Sequence, residues 1–271
     1  MKDMFAPTYP RDEFGKVLFP RDTVLRRQLF PYTDPQEHVA KANMLMVKEL
    51  VEFVSEPGEL ILDPFAGTGT IMVACTIGRR VTMIEIEEVY CGLIELNLIG
   101  VRQTVKDADE LVTLIPGNNN NILPIYETFD HMIFSPPYSN LLRKSKAVEK
   151  DKTSVDLGYA KAADYSSDPE NTSNLNDFMY YQKMDNFYKK CFTSLKHGGT
   201  MTVIIKDRME AGKRIFLGKR AERDCLRIGF KLVAWNKWYA PGGGYSALNK
   251  SKGLETVDEE DLLTFRKEMT I

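Results

Sequence analysis

Short β-branched apolar runs alternate with helical patterns along most of the chain, from Glu59 to Lys267. Such alternation is typical of a mostly parallel sheet with helices on both faces. Strands are predicted at residues 60–63, 81–86, 111–115, 131–135, 200–206, 231–238 and 262–266. Helices are predicted at about residues 69–79, 88–99, 175–196 and 214–228, with stops at His197-Gly198-Gly199 and Ile228-Gly229. The pattern therefore predicts an α/β fold with about seven strands.

The segments outside this alternation have different patterns. Residues 40–54 place apolar side chains at helical spacing and predict a helix that precedes the first strand. Residues 1–36 carry prolines and scattered aromatics, which favours an extended N-terminal arm before a domain at 37–271. Residues 140–174 are long, polar and rich in Lys, Ser, Asp and Asn, and they predict a flexible insertion at about 139–174.

Composition excludes several classes of protein. The 36 Lys and Arg nearly balance the 38 Asp and Glu, giving a formal net charge of −2, which argues against a generally basic nucleic-acid coat. The longest apolar runs, such as 71–77, are far shorter than the roughly 20 residues that span a bilayer, and the first residues do not resemble a signal peptide. We therefore expect a cytoplasmic protein. The four cysteines form no C-x-x-C pair and the three histidines are far apart, so no metal site is expected.

A glycine-rich loop follows the first predicted strand. It reads Asp63-Pro64-Phe65-Ala66-Gly67-Thr68-Gly69-Thr70. Glycines let the backbone turn tightly and approach a ligand, and the start of the next helix offers unpaired amides. The G-K-[ST] ending of a phosphate-binding loop is absent. Glu85, at the end of the second strand, suits a carboxylate that binds a ribose diol beside this loop. It could equally be an ordinary acid at a helix start, like Glu87 and Glu88.

A second motif, Ser135-Pro136-Pro137-Tyr138, ends the fourth predicted strand. Two successive prolines cannot continue a strand ladder, so the chain must leave the sheet there. An aromatic side chain then stands at the carboxyl edge, where open α/β sheets bind ligands. Taken alone, the tetrapeptide could be a simple strand-ending turn.

Together the two motifs resemble those of S-adenosylmethionine-dependent amino-methyltransferases of DNA, over about residues 37–267. The resemblance implies a single-domain, Rossmann-like methyltransferase fold with an antiparallel C-terminal hairpin. It implies S-adenosyl-L-methionine as the cofactor. The cofactor-binding residues that it implies are Asp63, Pro64, Phe65, Ala66, Gly67, Gly69, Thr70, Glu85, Ile86 and Asn118. Asn118 departs from the family, which has an acid there, and the stretch 118–121 could equally be a polar turn.

The resemblance also implies the catalytic residues, Ser135, Pro136, Pro137 and Tyr138. The Ser135 hydroxyl and the Pro136 carbonyl would accept hydrogen bonds from an exocyclic base amine and so orient its lone pair. Tyr138 would stack on a base flipped out of the DNA. Methylation at carbon 5 of cytosine needs a cysteine that follows a proline in that family, and no cysteine here does so. Serine at the first motif position favours cytosine N4 over adenine N6.

Basic residues near these motifs are candidates for contact with nucleic acid. Residues 143–152 carry five bases against two acids, and residues 206–231 carry nine bases against four. We expect Arg143, Lys144, Lys146, Lys213 and Arg214 to contact DNA phosphates, although solvated surface charges would look the same. A recognition partner or a homodimer could supply sequence specificity. The alternatives are an RNA base-amine methyltransferase and a catalytically silent subunit that only binds nucleic acid.

Overall fold

The structure is a computed structural model that describes residues 5, 8–33, 42–137, 172, 175–240 and 244–268. The described residues form nine strands. They are β1 Leu60–Asp63, β2 Arg80–Glu85, β3 Val112–Pro116, β4 Phe129–Phe134, β5 Leu195–Ile205, β6 Arg208–Glu210, β7 Lys213–Ile215, β8 Phe230–Tyr239 and β9 Glu259–Lys267. Every predicted strand is therefore found, with ends that differ by a few residues.

Seven strands form one sheet in the order β3-β2-β1-β4-β5-β9-β8. Strands β1 to β5 run parallel, and β9 pairs antiparallel with both β5 and β8. Strands β6 and β7 form a separate antiparallel hairpin. The predicted α/β fold with a seven-stranded, mostly parallel sheet and an antiparallel C-terminal hairpin is confirmed.

Helices cover both faces of the sheet. In chain order they are α1 Thr23–Leu29, α2 Met44–Val54, a 3-10 helix Thr70–Ile77, α3 Glu88–Thr104, α4 Ala108–Leu111, α5 Asn119–Ile122, α6 Asp177–Ser194, α7 Leu217–Ile228 and α8 Gly244–Ser251. One apolar core lies under α1, α2, the 3-10 helix and α3, and the other lies under α6 and α7. None of the helices in the described part of the chain is both long and apolar enough to cross a membrane.

The described part of residues 1–36 is not uniformly extended. Residues Thr23–Leu29 form α1, and Leu29 and Phe30 are buried in the core shared with α2 and α3. Val17 joins the edge of the sheet, because its amide donates to the Lys237 carbonyl at 2.8 Å and its carbonyl accepts from the Tyr239 amide at 2.9 Å. The prolines restrict the backbone around α1 without preventing apolar side chains from packing. The predicted extended conformation therefore does not describe residues 23–29.

The stop predicted at His197-Gly198-Gly199 is also wrong, because α6 already ends at Ser194 and these residues lie within β5. Between the pairs Phe129–Leu195 and His131–Thr200 the register shifts, so extra residues of β5 bulge out there. Gly198 has a φ of 80° in this bulge, and a Cβ on Gly199 would lie 2.6 Å from the Asp130 carbonyl oxygen. The glycines therefore serve a strand irregularity instead of a helix end.

Candidate active site

A pocket opens at the carboxyl ends of β1, β2, β3 and β4, on the edge where ligands bind in open α/β sheets. Most of the predicted site residues line it. From the predicted cofactor set these are Asp63, Pro64, Phe65, Ala66, Gly67, Thr70, Glu85, Ile86 and Asn118. Ser135, Pro136 and Pro137 line the same pocket. Gly69 does not line it, and Tyr138 lies outside the described residues.

The backbone of the glycine-rich loop, residues 63–70, turns through two left-handed positions. Gly67 has a φ of 54° and Gly69 a φ of 78°, values that favour glycine. A Cβ on Gly69 would lie 2.8 Å from the Met72 Cε, the flexible end of that side chain, so the left-handed backbone is the main reason for glycine here. The Phe65 amide donates to Asp63 Oδ1 at 3.0 Å and closes the start of the turn.

The carboxylate of Glu85 is fixed at the pocket by two backbone amides. Its Oε2 accepts from the Gly67 amide at 2.7 Å, and its Oε1 accepts from the Glu87 amide at 2.9 Å. Burial raises the pKa of Glu85 to about 6, although both amide hydrogen bonds favour the charged form. An acid that served only to start α3 would not be expected to accept a hydrogen bond from the glycine-rich loop, as Glu85 does from Gly67. Glu85 is thus an integral part of the pocket.

Asp63, on the neighbouring strand, carries a second perturbed carboxyl group. Burial raises the pKa of Asp63 to about 7, the Phe65 amide opposes this rise, and the charge of Glu85 adds to it. Strongly shifted groups in a cleft are common at functional sites. The two carboxyl groups and the left-handed Gly67 therefore mark the same end of the pocket.

Asn118 and Asn119 connect the pocket to the third strand. Asn118 is the N-cap of α5, and its Oδ1 accepts from the Asn120 amide at 2.9 Å. The buried Asn119 donates through Nδ2 to the Pro64 carbonyl at 2.7 Å and so ties α5 to the glycine-rich loop. The polar turn and the ligand contact considered for Asn118 are compatible, because the capping residue also lines the pocket.

The proline motif leaves the sheet directly after β4. Ser135 is exposed, Pro136 is buried and Pro137 is half-buried. Beneath them Phe134 packs against the rings of Phe65 and Phe187, with centroid distances of 5.8 Å and 5.5 Å. An aromatic floor therefore supports both the proline motif and the glycine-rich loop.

Of the basic residues that were predicted to contact DNA, those that the structure describes are not among the residues that line the pocket. Arg143, Lys144 and Lys146 lie outside the described residues. So does the rest of the predicted flexible insertion, residues 139–174, apart from Thr172. Lys213 is exposed on the β6–β7 hairpin. Arg214 pairs with the carboxylates of Asp207 and Glu259, so its charge is already balanced within the fold. Neither Lys213 nor Arg214 is among the residues that line the pocket.

Several pocket residues were not predicted from the sequence. They include Ala42, Val47, Tyr90, Thr172 and Ile204. Ala42 and Val47 belong to the amphipathic pattern that predicted a helix before β1, but this pattern does not say which apolar positions border a ligand. Among the described residues, no group of three or more His, Cys, Asp or Glu side chains could hold a metal ion.

Comparison with protein families gives one match, to a family described as DNA methylase, over residues 12–96. This match covers α1, α2, the glycine-rich loop, β2 and the start of α3, which is less than half of the chain. No curated protein sequence matches the chain.

Solved structures with a similar fold include TrmN from Thermus thermophilus, at 16% identity and a TM-score of 0.53. That alignment covers 90% of this chain and 53% of TrmN, so the chain spans about half the length of TrmN. The [4+2]-cyclase SpnF aligns at 16% identity and a TM-score of 0.51, over 84% of this chain and 81% of the cyclase. A SAM-dependent methyltransferase from Methanosarcina mazei aligns at 11% identity and a TM-score of 0.51, over 82% of this chain and 98% of that one.

These likenesses establish the Rossmann-like fold of methyltransferases for this chain. They do not establish the reaction, since a cyclase has a similar fold. The side chains of the pocket, and not the fold, determine the reaction.

Proposed function

We propose that the chain is an S-adenosylmethionine-dependent methyltransferase that acts on an exocyclic amine of a DNA base, with cytosine N4 favoured over adenine N6. One observation carries the proposal. The glycine-rich loop, Glu85 and the Ser135-Pro136-Pro137 segment, separated in sequence, line one pocket at the carboxyl edge of the sheet. The match of residues 12–96 to the DNA methylase family supports the choice of polymer.

The residues that line the pocket offer hydrogen-bonding groups suited to the proposed cofactor. Glu85 is held in place by the amides of Gly67 and Glu87, and its carboxylate can accept hydrogen bonds from ribose hydroxyls. Gly67 has no side chain to fill the turn beside it. Asn118 lines the region after β3 and would lie toward the base of an adenosine. When bound, S-adenosylmethionine would supply an activated methyl group: a nucleophile can bond to the methyl carbon while the C–S bond breaks and S-adenosylhomocysteine leaves, without a covalent enzyme intermediate.

The protein's part in catalysis is then to orient the amine. The lone pair of an exocyclic amine is delocalised into the base, so the nitrogen is a poor nucleophile. Hydrogen bonds from the amine to the Ser135 hydroxyl and the Pro136 carbonyl would favour a pyramidal nitrogen that faces the methyl group. After transfer the nitrogen must lose one proton. The exposed hydroxyl of Ser135 can pass this proton to solvent.

A base within a duplex cannot reach this pocket unless it leaves the stack. We propose that Tyr138 stacks on the extruded base, and that Lys213 and the basic residues at 143, 144 and 146 contact phosphates. The preference for cytosine rests on Ser135, since an aspartate or asparagine at that position is more usual for adenine-N6 enzymes.

The test is mass spectrometry of nucleosides after incubation of unmethylated DNA, and separately of RNA, with the chain and isotopically labelled S-adenosylmethionine. We expect labelled N4-methylcytosine from DNA, with Ser135→Ala and Pro136→Ala as variants of reduced activity. Labelled N6-methyladenine would contradict the choice of base, and label in RNA alone would contradict the choice of polymer. Binding of nucleic acid without transfer of label would indicate a silent subunit and overturn the proposed reaction.

A further inference from the structure

The N-terminal segment, residues 22–33, reaches the glycine-rich loop through a buried arginine. Arg26 on α1 is only 4% exposed. Its Nη1 donates to the Thr70 hydroxyl at 3.4 Å, and its Nη2 donates to the Ala42 carbonyl at 2.8 Å. Thr70 begins the 3-10 helix, and both Thr70 and Ala42 line the pocket. The guanidinium therefore connects α1 to two separate parts of the pocket wall.

The charge of Arg26 is balanced by Asp22, whose Oδ2 accepts from Nε at 3.1 Å and from Nη2 at 2.7 Å. The same oxygen accepts from the Met44 amide at 2.9 Å, at the first residue of α2. One ion pair thus joins α1, the start of α2 and the glycine-rich loop. A guanidinium has donors in a fixed planar fork, so it fixes the relative positions of its partners more closely than a lysine ammonium does.

A second polar connection runs from the same segment through Asn97. The Thr33 hydroxyl donates to Asn97 Oδ1 at 2.8 Å, and Asn97 Nδ2 donates to the Thr68 carbonyl at 2.9 Å. Asn97 lies on α3 and is fully buried. The backbones of α3 and α1 approach closely beside it, since a Cβ on Gly100 would lie 2.3 Å from the Leu29 carbonyl oxygen. Two independent connections from one segment therefore end on adjacent parts of the loop.

We propose that Arg26 and Asn97 are positioning residues of the cofactor site, and that residues 22–33 hold the glycine-rich loop in its binding conformation. The inference rests on the proposed function, because it assumes that this loop binds S-adenosylmethionine. The loop contains two left-handed glycines, Gly67 and Gly69, which have large conformational freedom when unrestrained. Contacts that restrict this freedom before binding lower the entropic cost of binding. Cofactor affinity thus depends on side chains that never touch the cofactor.

The experiment uses Arg26→Lys and Thr33→Val, each of which keeps the approximate shape of the side chain. The matched controls are Arg27→Lys, at an exposed position of the same helix, and Thr113→Val, at an exposed position of β3. Calorimetric titration with S-adenosylhomocysteine at 10 °C gives Kd, and a thermal scan gives Tm for each variant. We expect Kd to rise about tenfold for Arg26→Lys and about threefold for Thr33→Val, with both controls at the wild-type value. Amide hydrogen exchange at residues 66–70 is expected to be faster in both test variants.

A purely structural role would give a lower Tm with an unchanged Kd at 10 °C, where each variant is still folded, and this result would overturn the proposal. Unchanged exchange at residues 66–70 together with wild-type Kd would do the same. If the wild-type chain itself does not bind S-adenosylhomocysteine, the cofactor assignment fails first. The titration of the wild type therefore separates a failure of the proposed function from a failure of this inference.

Discussion

The Asp63 carboxyl group, at the end of β1, lies in the field of the Glu85 carboxylate, at the end of the adjacent strand β2. Burial raises the pKa of Asp63 from its ordinary value of 3.8 to about 7, and the charge of Glu85 contributes to this rise. Burial and a neighbouring carboxylate both disfavour ionisation of Asp63 in the folded state. The stability of the fold therefore depends on pH through this side chain.

The first prediction concerns the stability of Asp63→Asn as a function of pH. Between about pH 4 and pH 7 the folded state keeps a proton on Asp63 that the unfolded chain has lost. The protonated Asp63 therefore stabilises the folded state, relative to the ionised form, fully below pH 3.8. This contribution is lost as the pH rises through about 7. The amide of asparagine cannot ionise, so Asp63→Asn should be more stable than the wild type at pH 8, by on the order of 1 kcal/mol after screening by solvent.

Urea unfolding from pH 4 to pH 8 checks this prediction. Asp107→Asn, at an exposed acid before α4, serves as the control and should follow the wild-type curve. Parallel curves for Asp63→Asn and the wild type would show that the Asp63 carboxyl group is solvated and titrates normally.

The second prediction separates binding from stability at Glu85. Glu85→Gln keeps one oxygen that can accept from the Gly67 amide, but its NH2 group cannot accept from the Glu87 amide, and the negative charge that would bind ribose hydroxyls is lost. We expect affinity for S-adenosylhomocysteine to fall about 10- to 100-fold, since hydrogen bonds to charged groups contribute about 1.5–3 kcal/mol. Stability at pH 8 should change little, because removal of a buried charge offsets the lost hydrogen bond to the Glu87 amide.

Titration calorimetry of Glu85→Gln is compared with Glu88→Gln, which changes an exposed acid in the first turn of α3. Equal affinities of the two variants for S-adenosylhomocysteine would mean that Glu85 is only an acid at the start of α3 and does not contact the ligand.

Much of this fold could be predicted from the sequence because its signals are local. Each strand of the parallel sheet is a short apolar run, and each leaves the sheet at a polar or glycine-rich turn such as Asp63 or Ser135. The order β3-β2-β1-β4-β5 was not predicted, because it depends on which distant strands pair. The glycine-rich loop and the proline motif were recognisable because backbone geometry restricts which residues can occupy such turns.

The features that sequence analysis missed depend on contacts between distant residues. Arg26 lies in a segment with several prolines, and no local pattern indicates that its guanidinium is buried against Thr70, 44 residues later. Asn97 and Gly100 resemble ordinary polar and small positions of α3 until the chain from Leu29 to Thr33 packs against them. The bulge at Gly198 likewise becomes evident only when β5 is paired with β4.

A third prediction concerns the departure at Asn118. Its single side-chain oxygen already accepts from the Asn120 amide, so it has limited capacity to accept from an adenine amine. Asn118→Asp would keep the cap and supply a second acceptor oxygen. We expect affinity for S-adenosylhomocysteine to increase about threefold to tenfold. The control is Asn121→Asp at an exposed position of α5, and an equal gain in both variants would indicate a general charge effect instead of a contact at residue 118.

The last prediction tests whether the proline motif, which begins at Ser135, positions the target base. Pro136 is buried and its carbonyl is fixed by the chain geometry between two prolines, whereas alanine would let the backbone at this position vary. Single-turnover methylation of DNA at saturating S-adenosylmethionine should be at least about 100-fold slower in Pro136→Ala and about 10-fold slower in Ser135→Ala. The Kd for S-adenosylhomocysteine should stay within about twofold of the wild type, because neither change touches the glycine-rich loop or Glu85. Pro57→Ala, which changes an exposed proline outside this pocket, is the matched control and should retain the wild-type rate. A rate for Pro136→Ala near that of Pro57→Ala would show that residues 135–137 only end β4, and a parallel loss of cofactor affinity would show that they support the cofactor instead of the base.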